Sequence, residues 1–80
     1  MESELRIVRE ITAEVLHADV SSLKERTRFI DDLGADSLEL FEILARIEEY
    51  CRVSFGTDSI KRIVTLRDAA AMLKEVEHQG

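Results

Sequence analysis

Apolar residues along this chain recur at helical spacing in three separate runs, and no stretch sustains the alternation of a half-buried strand. Leu5, Val8, Ile11 and Val15 share one face and predict a first helix from about Glu4 to Leu16. A second run starts at Ser37 and continues to about Cys51. On a wheel of roughly 100° per residue, Leu40, Ile43, Leu44, Ile47, Tyr50 and Cys51 form a core-facing stripe. Glu39, Glu42, Arg46 and Glu49 lie beside it, and a narrow apolar strip of Leu38, Phe41 and Ala45 separates that charged stripe from Glu48. A third run, with Leu66, Ala69, Ala70, Leu73 and Val76 on one face, predicts a last helix.

Local chemistry marks the helix starts. Asp36 with Glu39 three positions later is a capping signature for the second helix, as Thr65 with Asp68 is for the last. Gly56 and Thr57-Asp58-Ser59 predict a turn and a short helix through about Arg62. The long connection from His17 to Asp36 should be tacked to the core by Val20, Leu23, Phe29, Ile30 and Leu33. Proline is absent and glycine occurs three times, so helices should dominate. The expected fold is all-α: one domain over residues 1–80, an irregular four-helix bundle of three principal helices and a short third helix.

Eighty residues give a core that only narrowly outweighs chain entropy and leave no room for a deep active site. A single cysteine, Cys51, rules out an internal disulfide framework, and its helical spacing assigns it to the core. The start Met1-Glu2-Ser3-Glu4-Leu5-Arg6 lacks a signal peptide's basic and apolar regions, and no apolar stretch could span a bilayer. A cytoplasmic protein with no stable membrane insertion is therefore expected.

Charge is the next discriminator. The formal net charge is −6, which disfavours nucleic acid as a partner. The segment from Asp31 to Glu49 holds seven acids against Arg46 alone, while the segments on either side nearly balance. All the net charge thus surrounds Ser37 and the helix behind it, a pattern suited to docking on basic surfaces. Arg46 lies four residues after Glu42 and three before Glu49, and could pair with either.

A nucleophilic enzyme needs a base beside its nucleophile. His17 closes the first helix and His78 falls in a tail expected to fray, so neither has cause to meet Ser37. Asp31, Asp32 and Asp36 resemble part of a calcium loop without its closing glutamate, and no dedicated metal site is expected. What remains is Ser37 in the first turn of a helix, where N–H groups lack intrahelical partners and an anion is favoured. That is the layout of a modification site.

The run Phe29-Ile30-Asp31-Asp32-Leu33-Gly34-Ala35-Asp36-Ser37-Leu38-Glu39 resembles the prosthetic-group site of acyl carrier proteins. The likeness extends through Glu48-Glu49, Ile63 and the Thr65-capped last helix. It implies that a phosphopantetheinyl transferase places the 4′-phosphopantetheine of coenzyme A on Ser37, flanked by Asp36 and Leu38. The arm's thiol, not that of Cys51, would carry acyl groups for enzymes of fatty acid, lipid or polyketide biosynthesis. The chain itself would be a non-catalytic, monomeric carrier. By similarity, Asp36, Glu39, Glu42, Glu48 and Glu49 would meet basic residues on acyl-loading and acyl-modifying enzymes, with Leu38, Phe41 and Ala45 as apolar contacts. Leu44, Ile47, Phe55, Ile63, Ala69 and Leu73 could line space for an acyl chain.

Cys51, where the family carries a bulky aromatic, the turn Phe55-Gly56-Thr57-Asp58, and the basic Lys61-Arg62 point to a specialised, freestanding member. An aminoacyl or peptidyl carrier, of nonribosomal peptide or D-alanine transfer type, is the alternative within the fold. An unmodified helical adaptor is the alternative outside it.

Overall fold

The computed structural model describes residues 2–56 and 58–79; Thr57, part of the expected turn, lies outside the described residues. Three α-helices form the body: α1 (Glu2–Leu16), α2 (Ser37–Cys51) and α3 (Leu66–Gln79). α1 packs across both α2 and α3. Val8 and Thr12 of α1 are fully buried, with Leu5, Ile11 and Val15 partly buried along the same face. They meet Leu40, Ile43, Leu44 and Ile47 of α2 and Leu66, Ala69, Ala70, Met72 and Leu73 of α3. The alanines of α3 let backbones approach closely, and the resulting core is one continuous apolar cluster.

α1 and α2 end alike. His17 and Arg52 both take left-handed backbone conformations, each with φ of 56°. Beyond them Ala18 donates its N–H to the carbonyl of Ala13 at 3.0 Å, and Val53 donates to that of Glu48 at 3.1 Å. These are Schellman closures made without glycine. α3 runs through Gln79, so the backbone at His78, expected in a frayed tail, is helical.

The connection between α1 and α2 contains a one-turn 3₁₀ helix, Val20–Ser22, capped by the Asp19 carboxylate. Leu23 and Phe29 anchor this segment in the core, and Leu33 packs partly against it. Val20 and Ile30, also expected inside, are exposed, Ile30 by 55%. An irregular segment has no period to separate an inner from an outer position, so hydrophobicity alone misassigned them. Ala35, too small to stand out by hydropathy, is buried instead.

The same segment is stapled to the approach to α3 by an isolated antiparallel bridge between Arg28 and Thr65. Phe29 donates its N–H to Val64 O at 3.0 Å, and Leu66 and Arg67 donate theirs to Thr27 O and Glu25 O at 3.0 and 2.8 Å. The expected short third helix is a single 3₁₀ turn, Ser59–Arg62, preceded by Asp58, whose side chain makes no capping bond. Without that cap, one turn closed by i to i+3 hydrogen bonds is what four residues can support. Thr65 and Asp68 cap α3 as expected: Asp68 receives the N–H groups of Val64 and Thr65 at 2.9 and 3.0 Å, and its own N–H reaches Thr65 Oγ1 at 3.1 Å.

Two members of the predicted core stripe of α2 differ from expectation. Tyr50 is 70% exposed and Cys51 is only partly buried. Tyr50 sits at the edge of the stripe nearest Arg46, where it borders a groove against Ile7 and Ile11 of α1, and its phenol stays in water.

Candidate functional site

The approach to Ser37 is folded around the backbone of Phe29. Ala35 donates its N–H to Phe29 O at 3.0 Å, Leu33 to Arg28 O at 3.1 Å and Gly34 to Ile30 O at 3.0 Å. Gly34 has φ of +70°, a conformation in which an L side chain is strained even though open space surrounds it. Arg28 fastens the turn from outside. Its Nε and one terminal nitrogen reach Asp32 at 3.2 and 3.1 Å, its N–H reaches Asp32 Oδ2 at 2.8 Å, and Asp31 lies at 3.6 Å. The hydrogen bonds from Arg28, side chain first and then backbone, hold the Asp32 carboxyl below its ordinary pKa.

Next comes the cap. Asp36 accepts the N–H of Glu39 at 2.8 Å, and the Glu39 carboxylate accepts the N–H of Asp36 at 3.1 Å. This capping box fixes where α2 begins. The three aspartates of the supposed metal loop are thus divided: Asp31 and Asp32 answer Arg28, and Asp36 caps the helix. No group of three or more His, Cys, Asp or Glu side chains able to hold a metal occurs among the described residues.

Ser37 is the first residue of α2, and it is exposed. Its hydroxyl makes no hydrogen bond among the described residues, and neither do the N–H groups of Ser37 and Leu38. The cap satisfies Glu39 N–H, and Leu40 N–H is bound to Asp36 O at 3.0 Å. Two donors at the positive end of a fifteen-residue helix therefore remain beside a free hydroxyl. His17 is exposed just past the end of α1 and makes no hydrogen bond to Ser37.

From Ser37 the expected apolar strip leads along the outer face of α2. Leu38 is 77% and Phe41 52% exposed, and Ala45 is exposed below them. Phe41 and Ala45 continue into a groove of about 230 Å³ with Phe55, Gly56 and Ile60 on its other wall. Leu44, Ile47, Phe55, Ile63, Ala69 and Leu73 are all buried in the core, with Leu44 and Phe55 also bordering this groove.

The acids of α2 divide by task. Asp36 and Glu39 serve the cap. Glu48 accepts the N–H of Phe55 at 2.7 Å, pinning the turn that follows the helix. Glu42 is paired with Arg46 at 2.9 Å, and the other terminal nitrogen of Arg46 reaches Glu14 of α1 at 2.6 Å. Glu49 makes no hydrogen bond or ion pair among the described residues. Spacing along the sequence identified Glu42 as a partner for Arg46, but nothing local signals Glu14, which is remote in the chain. Arg28, also missed, could have been found from its spacing of four to Asp32. The Cys51 thiol is held above its ordinary pKa by burial, then by the carboxylates of Glu77 and Glu4, which keeps it protonated at neutral pH.

A family model described as a phosphopantetheine attachment site matches residues 6–73. A protein named acyl carrier protein from Phenylobacterium zucineum (strain HLK1) is 39% identical over 75 residues, 94% of this chain and 95% of its own length. One of the same name from Caulobacter vibrioides (strain NA1000 / CB15N) is 39% identical over 94% of this chain and 96% of its own. A third, from Zymomonas mobilis subsp. mobilis, is 35% identical over 85% and 87%.

Proposed function

Because this chain belongs to the acyl carrier proteins of the phosphopantetheine-attachment family, we propose that Ser37 is the residue carrying its prosthetic arm and that α2 is the face its partner enzymes read. The 4′-phosphopantetheine group supplies a thiol that holds acyl groups as thioesters.

One observation supports the assignment above the others: an exposed, unbonded hydroxyl begins a helix whose cap is already filled and whose next two N–H groups are not. A phosphodiester fits there. Its negative charge would lie among unpaired donors at the helix N-terminus, and the acid that caps the helix stays engaged with Glu39. The Ser37 oxygen forms the new bond to phosphorus, 3′,5′-ADP leaves from coenzyme A, and the hydroxyl proton passes to a base of the phosphopantetheinyl transferase. The chain contributes a positioned nucleophile and a docking surface, and is a substrate of that enzyme, not a catalyst.

Acyl-loading and acyl-modifying enzymes would approach with basic residues toward Asp36, Glu39, Glu42, Glu48 and Glu49, and with apolar residues toward Leu38, Phe41 and Ala45. Surface charge accelerates such encounters and salt weakens them. Tethering raises the effective concentration of cargo at each docked enzyme, so weak docking with fast release suffices. No helix among the described residues is long and apolar enough to cross a membrane, and we place the carrier in the cytoplasm as a monomer.

The test is intact mass after incubation with coenzyme A, Mg²⁺ and a broad-specificity transferase. The wild type should gain one phosphopantetheine and Ser37→Ala none. A helical wild type that gains nothing would leave the unmodified adaptor as the better reading.

A further inference from the structure

Arg46 is the only cation on α2, and the structure uses both of its terminal nitrogens at once. One holds Glu42 on the same helix and the other holds Glu14 on α1. The bridge ties the guanidinium to α1, and Glu49, its other candidate partner, borders the same groove without an ion pair to it among the described residues. It also places a fixed positive charge on the carboxylate at the middle of the acidic stripe. A partner cation approaching Glu42 must displace Arg46 or lie beside a like charge.

We propose that Arg46 is a selectivity residue: bridged between Glu14 and Glu42, it withholds Glu42 from partner enzymes, so that docking falls to the remaining acids, with unpaired Glu49 foremost, and to the Leu38-Phe41-Ala45 strip. This inference depends on the docking role given to α2 above. Partners whose surface aligns a basic residue with Glu42 are penalised, and those that align one with Glu49 are not. The three side chains are between 45% and 73% exposed, so water competes for the bridge and the discrimination is graded. Exposed pairs of this kind correspond to a change of about two- to five-fold at low salt.

The test is the KM for phosphopantetheine transfer at low ionic strength, using a transferase whose docked complex aligns a basic residue with Glu42. Wild type, Arg46→Gln, Glu42→Gln and the double variant form the cycle, with helicity checked for each. Arg46→Gln should lower KM about two- to five-fold with kcat unchanged, and the gain should disappear in the Glu42→Gln background. Arg46→Lys, which keeps the charge but not the two-handed grip, should fall between. An unchanged KM for Arg46→Gln would overturn the proposal. So would a gain that persists at full size without Glu42, since only net charge would then be at work. A wild type that is not modified, or a Ser37→Ala variant that is, would overturn this inference together with the reading beneath it and is seen separately by mass.

Discussion

Thr12 should be a weak point of this core, and Thr12→Val should strengthen the protein. Its side chain is fully buried on the inner face of α1, and its hydroxyl has no hydrogen-bond partner among the described residues. Leaving a buried hydroxyl unpaired costs about 1–3 kcal/mol by protein mutational data. Valine has nearly the same shape, replaces that hydroxyl with a methyl group, and is β-branched like threonine, so helix propensity almost cancels. A gain of about 1 kcal/mol or more should result, which in a domain of this size raises Tm by roughly 4–8 °C. Urea unfolding followed by far-UV circular dichroism, fitted with a shared m, measures it directly. Thr12→Ser is the control: it keeps the hydroxyl, removes a methyl group and should cost about 1 kcal/mol. A neutral or destabilising Thr12→Val with unchanged m would refute the reasoning. It would mean the hydroxyl bonds a helix carbonyl in solution, as buried threonines can.

Two further outcomes follow from the helix ends. Arg52 closes α2 in a left-handed conformation that favours glycine, so Arg52→Gly should stabilise by about 0.5–1 kcal/mol, read as a higher urea midpoint; a lower midpoint would count against the Schellman account. The N–H groups of Thr65, foremost, and Val64 hold the Asp68 carboxyl below its ordinary pKa. A depressed folded pKa contributes stability that is fully present above the unfolded value of about 3.9 and is lost as pH falls through the folded one. Asp68→Asn should therefore be less stable than wild type at pH 7, with the gap narrowing below about pH 4. A gap independent of pH would show that the carboxylate's charge is not what caps α3.

The helices were legible because each carries its own period and its own cap. Asp36, Ser37 and Glu39 sit within one turn, so three letters in a span of four state both the helix start and the capping box. The exposed strip of Leu38, Phe41 and Ala45 followed from the same wheel, because the core stripe already accounted for burial. What escaped is contact between distant parts of the chain. The bond from Phe55 to Glu48 across the turn, the Arg46 bridge to Glu14 and the pairing of Arg28 with Thr65 have no periodic signature. Tyr50 was misplaced because a wheel shows which residues are apolar but not how far α1 reaches around α2. Val20, Ile30 and Ala35 show the same limit in irregular chain, where burial is decided by the staple and not by the residue.

That staple has a consequence for the order in which the molecule is assembled. The run leading into Ser37 receives its backbone partner Val64, and gives its carbonyls at Glu25 and Thr27 to Arg67 and Leu66, from a stretch that leaves the ribosome much later. Long-range pairings of this kind pay their loop-closure entropy before they are rewarded. The turn that presents Ser37 therefore takes its final shape only after the start of α3 has arrived on the core. An enzyme that reads this shape would meet it only on a chain whose α3 start is already paired to the run before Ser37.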